Sequence, residues 1–141
     1  MSACGGEAQD PAGQVRALIG AAETAAEQRD YSTLEAMLAD GYTDEQGYDR
    51  RGISRLLRLT LMRNRTLHVL SVVRDLHVVD PETVRATVLV AVAARPLDAV
   101  EQLLDLRAEL LHFDVRFVNV DGSRWQVDQA AWRPARAAEF L

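Results

Sequence analysis

Leu111-His112-Phe113-Asp114-Val115-Arg116-Phe117-Val118-Asn119-Val120-Asp121-Gly122-Ser123-Arg124-Trp125-Gln126-Val127-Asp128-Gln129-Ala130-Ala131-Trp132 consists of two extended segments hinged at Asp121-Gly122. An Asp-Gly pair tolerates the positive φ angles of a type I′ turn, whose twist matches that of paired strands. The spacing therefore predicts a hairpin in which Val115, Phe117 and Val120 fold back over Trp125 and Val127. Trp125 and Trp132 are seven residues apart, an odd separation, so they are expected on opposite faces unless a bulge intervenes. An outward tryptophan would favour a dimer, since a large apolar side chain on an exposed sheet face usually has a partner.

Working back from the hairpin, residues 67–79 and 84–94 are rich in β-branched residues and flank the turn Asp80-Pro81-Glu82-Thr83, which predicts a second strand pair. Pro96 breaks the later strand, and Asp98 with Glu101 offers a cap for a short helical excursion over 99–104. Upstream, Ile53, Leu56, Leu57, Thr60 and Leu61 fall at i, i+3, i+4, i+7 and i+8, the stripe of an amphipathic helix ending between 63 and 66. Ser32 and Glu35 form a capping-box pattern for a shorter helix, with Leu34, Met37 and Leu38 on its buried side and Gly41 as its stop. Residues 42–49 hold a short strand or a loop. Asp10-Pro11 begins the first helix, whose Val15, Leu18, Ile19, Ala22 and Ala26 share one face to about Arg29. The fold class is thus α+β: about four long antiparallel strands plus a short one, with a long amino-terminal helix and two further helices. Residues 1–10 read as a flexible tether, 11–135 as one domain and 136–141 as a frayed carboxyl-terminal tail.

Composition narrows the function. With 141 residues, 48% of them hydrophobic and 26% charged, the chain has the proportions of a globular domain rather than a disordered or membrane-spanning one. That length buries about two thirds of the unfolded surface without disulfides or metals. The net charge of −5 disfavours a general nucleic-acid binder, because phosphate affinity comes largely from a positive field that releases counterions. All basic residues are Arg. Residues 50–65 concentrate six of them (Arg50, Arg51, Arg55, Arg58, Arg63 and Arg65) with no acid, and Arg51, Arg55 and Arg58 form a stripe opposite the apolar face of their helix. The stripe reads as a solvated face paired with acidic neighbours, as a contact for anionic headgroups or lipopolysaccharide, or, with least weight, as a contact for nucleic acid.

The single cysteine, Cys4, excludes an internal disulfide. Ser2-Ala3-Cys4-Gly5 resembles the end of a bacterial lipoprotein signal, in which an aliphatic residue and two small ones precede the modified cysteine; Met1 departs from it, standing where Leu is usual. The resemblance implies a lipid on Cys4 and a periplasmic, membrane-attached location, the outer membrane rather than the inner.

The element order over residues 15–133 resembles the nuclear transport factor two-like superfamily, also called SnoaL-like. The pieces that carry the likeness are Asp30-Tyr31 through Leu38-Ala39-Asp40-Gly41-Tyr42, similar to that family's second-helix exit, and Asp121-Gly122-Ser123-Arg124-Trp125-Gln126-Val127, similar to its closing hairpin. The resemblance implies a curved sheet wrapped on the long amino-terminal helix, forming a cone with a pocket at its open end, and a homodimer through the outer sheet face. It leaves function open, since members include isomerases, cyclases and dehydratases as well as proteins with no catalytic role. The excursion over 96–105 is longer than the family's connection.

A catalytic member needs an acid or base in the cavity with a partner that sets its pKa. The candidates are Tyr42, Asp44, Tyr48, His68, His112 and Asp128, with Trp125 as a further pocket residue, and none falls in an active-site pattern of the superfamily. His68, His77 and His112 lack close metal-ligand spacing and have no thiolate nearby, so neither a metal nor another cofactor is predicted. The expected function is a non-catalytic envelope lipoprotein domain that binds a small apolar or amphipathic ligand or a protein partner. The alternative is a cofactor-free isomerase, cyclase or dehydratase using general acid-base catalysis.

Overall fold

A computed structural model describes residues 10–64, 66–94, 109–122 and 124–140. Cys4 and the excursion predicted over 96–105 lie outside the described residues. The first helix, α1 (Pro11–Glu27), begins where the Asp10 side chain accepts from the Ala12 amide and proline occupies the first turn. The second, α2 (Tyr31–Ala36), is capped by Asp30 rather than Ser32: its carboxylate accepts from the Thr33 amide and hydroxyl at 3.2 and 2.6 Å. Glu35, expected to complete the capping box, instead accepts from the Tyr31 hydroxyl at 2.7 Å.

α2 stops at Ala36, short of Gly41, because Leu38 already opens a strand, β1 (Leu38–Asp44). Leu38 and Tyr42 are four apart, a spacing that keeps two side chains on one face in either a helix or a strand. Both pack with Ile53 of α3 (Arg50–Arg63), whose first turn is capped by Asp49 through the Gly52 amide at 2.8 Å.

The long strands are β2 (His68–Asp80), β3 (Thr83–Ala93), β4 (Glu109–Val120) and β5 (Arg124–Pro134), and the curved sheet runs β1-β5-β4-β3-β2. The four long strands pair antiparallel, while β1 joins β5 in parallel. Asp121 and Gly122 have φ of 60° and 73°, the two positive angles that a type I′ turn demands.

The inner face of the sheet, the one turned toward α1, buries Val84, Ala86, Val88, Phe117 and Trp125 against Val15, which is completely buried. Burial of Trp125 alone is worth about 2 to 3 kcal/mol. Its indole N–H also finds an acceptor, the Gln14 side chain, at 2.6 Å. α1 further covers the free edge of β2. Glu27 accepts from the Val69 amide at 2.9 Å and Glu23 from the Ser71 amide at 3.1 Å, so two donors of an edge strand are satisfied by carboxylates one helical turn apart.

Two expectations are corrected. Trp125 and Trp132 share the inner face, because the β4–β5 register skips Asp128: Phe117 pairs with Val127 but Arg116 pairs with Gln129. That one-residue bulge cancels the odd separation. The carboxyl terminus is also more than a frayed tail, since Ala137–Phe140 forms a 3-10 helix and Phe140, 3% exposed, packs on Leu89 and Ala91 of the outer sheet face.

Candidate functional site

Strand alternation sorts the candidate residues by face. Inner-facing positions are Val84, Ala86, Val88 and Val90 on β3, Leu111, Phe113, Val115 and Phe117 on β4, and Trp125, Val127, Ala130 and Trp132 on β5. None of them titrates. Glu109 shares their parity but is exposed at the first position of β4. The histidines all fall on the other side: His68 pairs with Ala93, His77 with Arg85 and His112 with Leu89, partners that alternate with the inward residues of β3.

His112 belongs to an outer-face network. Its Nδ1 lies 3.0 Å from the Arg133 guanidinium and 3.4 Å from Glu139, and its Nε2 lies 3.2 Å from Asp114. Thr87 donates to the other Asp114 oxygen at 2.8 Å, and Arg133 also holds Glu139 at 2.9 Å. Asp128 is likewise outward, engaged by both nitrogens of the Arg116 fork. These groups line or adjoin a polar groove of about 700 Å³ on the outer face.

The structure does bring Tyr42, Asp44 and Tyr48 together. The buried Tyr42 hydroxyl donates to Asp44 Oδ2 at 2.7 Å, while Oδ1 accepts from the Tyr48 amide at 2.9 Å. Burial, followed by the bond to Asp44, pushes the Tyr42 phenol far above its ordinary pKa, so it remains a neutral donor and cannot serve as a base at neutral pH. The Tyr48 ring stacks on Trp132 at 6.3 Å, and Phe113 lies against the same Trp132 ring at 5.8 Å. Chemically this is an aromatic cluster with one carboxylate, of which one oxygen holds the 44–48 turn and the other takes the Tyr42 hydroxyl. Trp125 sits deeper, in the core beside α1. Arg51, Arg55 and Arg58 line a cleft beside α2, and no metal-holding cluster of His, Cys, Asp and Glu occurs among the described residues.

Phe113, Tyr31 and Ser54 escape a reading of the sequence for chemistry. Phe113 looks like any strand aromatic until the bulge brings Trp132 beside it. Ser54 did leave a signal, for it lies three residues from Leu57 and seven from Leu61, a hydroxyl on an otherwise apolar stripe.

No family model matches the sequence, and no curated protein does. By structure the chain is similar to an uncharacterized protein with a cystatin-like fold from Caulobacter vibrioides, with a TM-score of 0.67 and 16% identity over 89% of this chain and 91% of that one. It is similar to a protein of the NTF2-like family from Streptomyces avermitilis, with a TM-score of 0.61 and 16% identity over 87% and 94% of the two chains. A third likeness is to the hexachlorocyclohexane dehydrochlorinase LinA-type3 from Novosphingobium barchaimii LL02, with a TM-score of 0.63 and 15% identity over 86% and 84%. At such identities the likeness is one of fold: a curved sheet on a long helix, as in NTF2-like and cystatin-like proteins.

Proposed function

We propose that this chain is a non-catalytic binding domain whose inner sheet face takes a small apolar or amphipathic molecule, or an apolar segment of a partner protein. The observation that carries the reading is the chemistry of that face: the inward positions of β3, β4 and β5 from Leu111 to Trp132 offer hydrocarbon and aromatic surface and no acid or base. Sites for small molecules are mostly apolar with a few polar groups at the mouth, and Tyr48 stacks on Trp132 at the edge of this face, while Asp44 lines the outer groove. The test is to denature the purified chain, extract it and identify co-purified molecules by mass spectrometry, alongside titration with an apolar fluorescent probe. Saturable probe binding that Leu111→Glu weakens supports the reading. If nothing is extracted and no probe binds, the interior is filled by its own side chains and the domain is an interaction module.

The second reading, a cofactor-free isomerase, cyclase or dehydratase, is favoured by one contact, the Tyr42 hydroxyl on Asp44 at 2.7 Å. Proton exchange from solvent deuterium into an added carbonyl compound, abolished by Asp44→Asn, would shift the weight to it.

Ser2-Ala3-Cys4-Gly5 supports lipid attachment at Cys4 and an outer-membrane, periplasm-facing location, which the mass of the amino-terminal peptide from native membranes tests. A homodimer through the outer face, with its polar groove, completes the proposal and is read by sedimentation velocity.

A further inference from the structure

Between α2 and α3 lies a cleft of about 620 Å³. Arg50 ties its base, donating to the carbonyls of Glu35 and Leu38 at 3.1 and 3.2 Å and so satisfying one of the acceptors that the end of α2 leaves open. Arg51, Arg55 and Arg58 follow at steps of four and three, which places them on one face of α3, all exposed. Arg58 lies 4.6 Å over the Tyr31 ring, while Arg51 and Arg55 have no ion pair among the described residues. The acids in the cleft are Glu35, which accepts from Tyr31, Asp49, which caps α3, and Asp40.

A second, independent feature points into the same place. Ser54 lines the cleft at 5% exposure, and its hydroxyl is buried with no hydrogen-bond partner among the described residues. A serine inside a helix ordinarily bonds the carbonyl four residues back. Native proteins leave few buried polar groups unpaired. A donor without an acceptor, in the wall of a cleft whose free cations are guanidinium forks, calls for an oxygen-rich anion.

We propose that the α2–α3 cleft binds a single phosphate group, carried by a soluble phosphate ester or by a phospholipid headgroup. Arg51 and Arg55 supply the charge, Arg58 is held in place by Tyr31, and the Ser54 hydroxyl donates to one phosphate oxygen. Guanidinium forks match the spacing of phosphate oxygens and bind them in pairs. The carboxylates of Asp40 and Asp49 oppose a dense polyanion, which restricts the ligand to one phosphate. This site is separate from the inner sheet face and stands or falls without it.

The test uses the full, unlipidated chain at low ionic strength. One arm titrates inorganic phosphate by NMR, following the Ser54 amide and the arginine Nε groups. The other measures co-sedimentation with phosphatidylglycerol–phosphatidylcholine vesicles against phosphatidylcholine alone. Saturation by phosphate identifies a soluble ester, whereas binding to the anionic vesicles alone identifies a headgroup. In the arm that binds, Arg51→Gln with Arg55→Gln should weaken affinity about tenfold or more, and Ser54→Ala about threefold, the losses expected for charged and neutral donors. Arg63→Gln, on the same helix outside the cleft, should change it by less than about twofold. Circular dichroism establishes that each variant is folded. The proposal is overturned if neither arm shows binding, if Arg63→Gln matches the loss of the double variant, or if Ser54→Ala raises the melting temperature and leaves affinity unchanged.

Discussion

Arg116 grips Asp128 through two hydrogen bonds of 2.9 and 2.7 Å, and Asp128 is the extra residue in the β4–β5 ladder that returns Trp132 to the face occupied by Trp125. The pair thereby holds a bulge open where a regular strand would turn Ala130 and Trp132 outward. Asp128→Ala should cost about 1 kcal/mol, a value discounted because the two side chains are 30% and 18% exposed. Deleting Asp128 removes the bulged residue while Val127 and Gln129 keep their partners Phe117 and Arg116, so Trp132 should stay against Tyr48 and Phe113 and the loss should be close to that of Asp128→Ala. Urea denaturation followed by tryptophan fluorescence reads both. A deletion variant whose Trp132 emission moves to that of a solvent-exposed indole would show that the bulge at Asp128 is not what places Trp132 on the face of Trp125.

β2 is an edge of the sheet, and Glu23 supplies the acceptor for both the amide and the hydroxyl of Ser71. Glu23→Ala leaves two partly buried donors unpaired and should destabilise by about 1 to 3 kcal/mol, whereas Glu23→Gln keeps an acceptor and should cost less. Opening this edge should also raise self-association, visible by light scattering, because unpaired strand donors template another strand. Equal stability of the two variants would count against the edge-cap role.

The major architecture was legible because its signals were local: Asp121-Gly122 needs positive φ, and the Ile53, Leu57, Leu61 stripe needs a helix. What the sequence concealed was decided between elements. Leu38 and Tyr42 fit either period, so only packing under Ile53 makes Leu38 a strand residue rather than the last turn of α2. A bulge at Asp128 has no signature in its own neighbours, since it is stabilised by Arg116 on the adjacent strand. Phe140 resembled a frayed end because its contacts, Leu89 and Ala91, lie some fifty residues away in the chain. The candidate site divided along the same line. Tyr42, Asp44 and Tyr48 are close in sequence and meet, while the face to which His68 and His112 belong depended on strand register.

Val15 is the position where α1 enters the core, with no exposed surface. Val15→Ala removes two methylene equivalents and should lower stability by about 2 kcal/mol, the transfer loss plus part of a cavity. Met62→Ala on α3, where the parent side chain is 67% exposed, should stay within about 0.5 kcal/mol. Comparing the two by thermal denaturation tests whether the sheet closes on α1. Similar shifts would contradict that packing.

Glu139 fastens the carboxyl-terminal turn, accepting from the Arg133 guanidinium at 2.9 Å and from the Arg136 amide at 2.9 Å. The Arg133 bond first, and the Arg136 amide second, hold its carboxyl at about 2 instead of 4.5. A carboxyl whose folded value is depressed stabilises the folded form fully above its unfolded value, and that contribution is lost as pH falls toward the folded value. The docked turn should therefore loosen between about pH 4.5 and 2, letting Phe140 leave Leu89 and Ala91. Amide exchange at Phe140 in parent and Glu139→Gln chains isolates this group from the other carboxylates. The parent should lose protection across that window, while the variant should start less protected and vary less with pH. Parallel curves for the two chains would show that the turn is held by Phe140 packing alone.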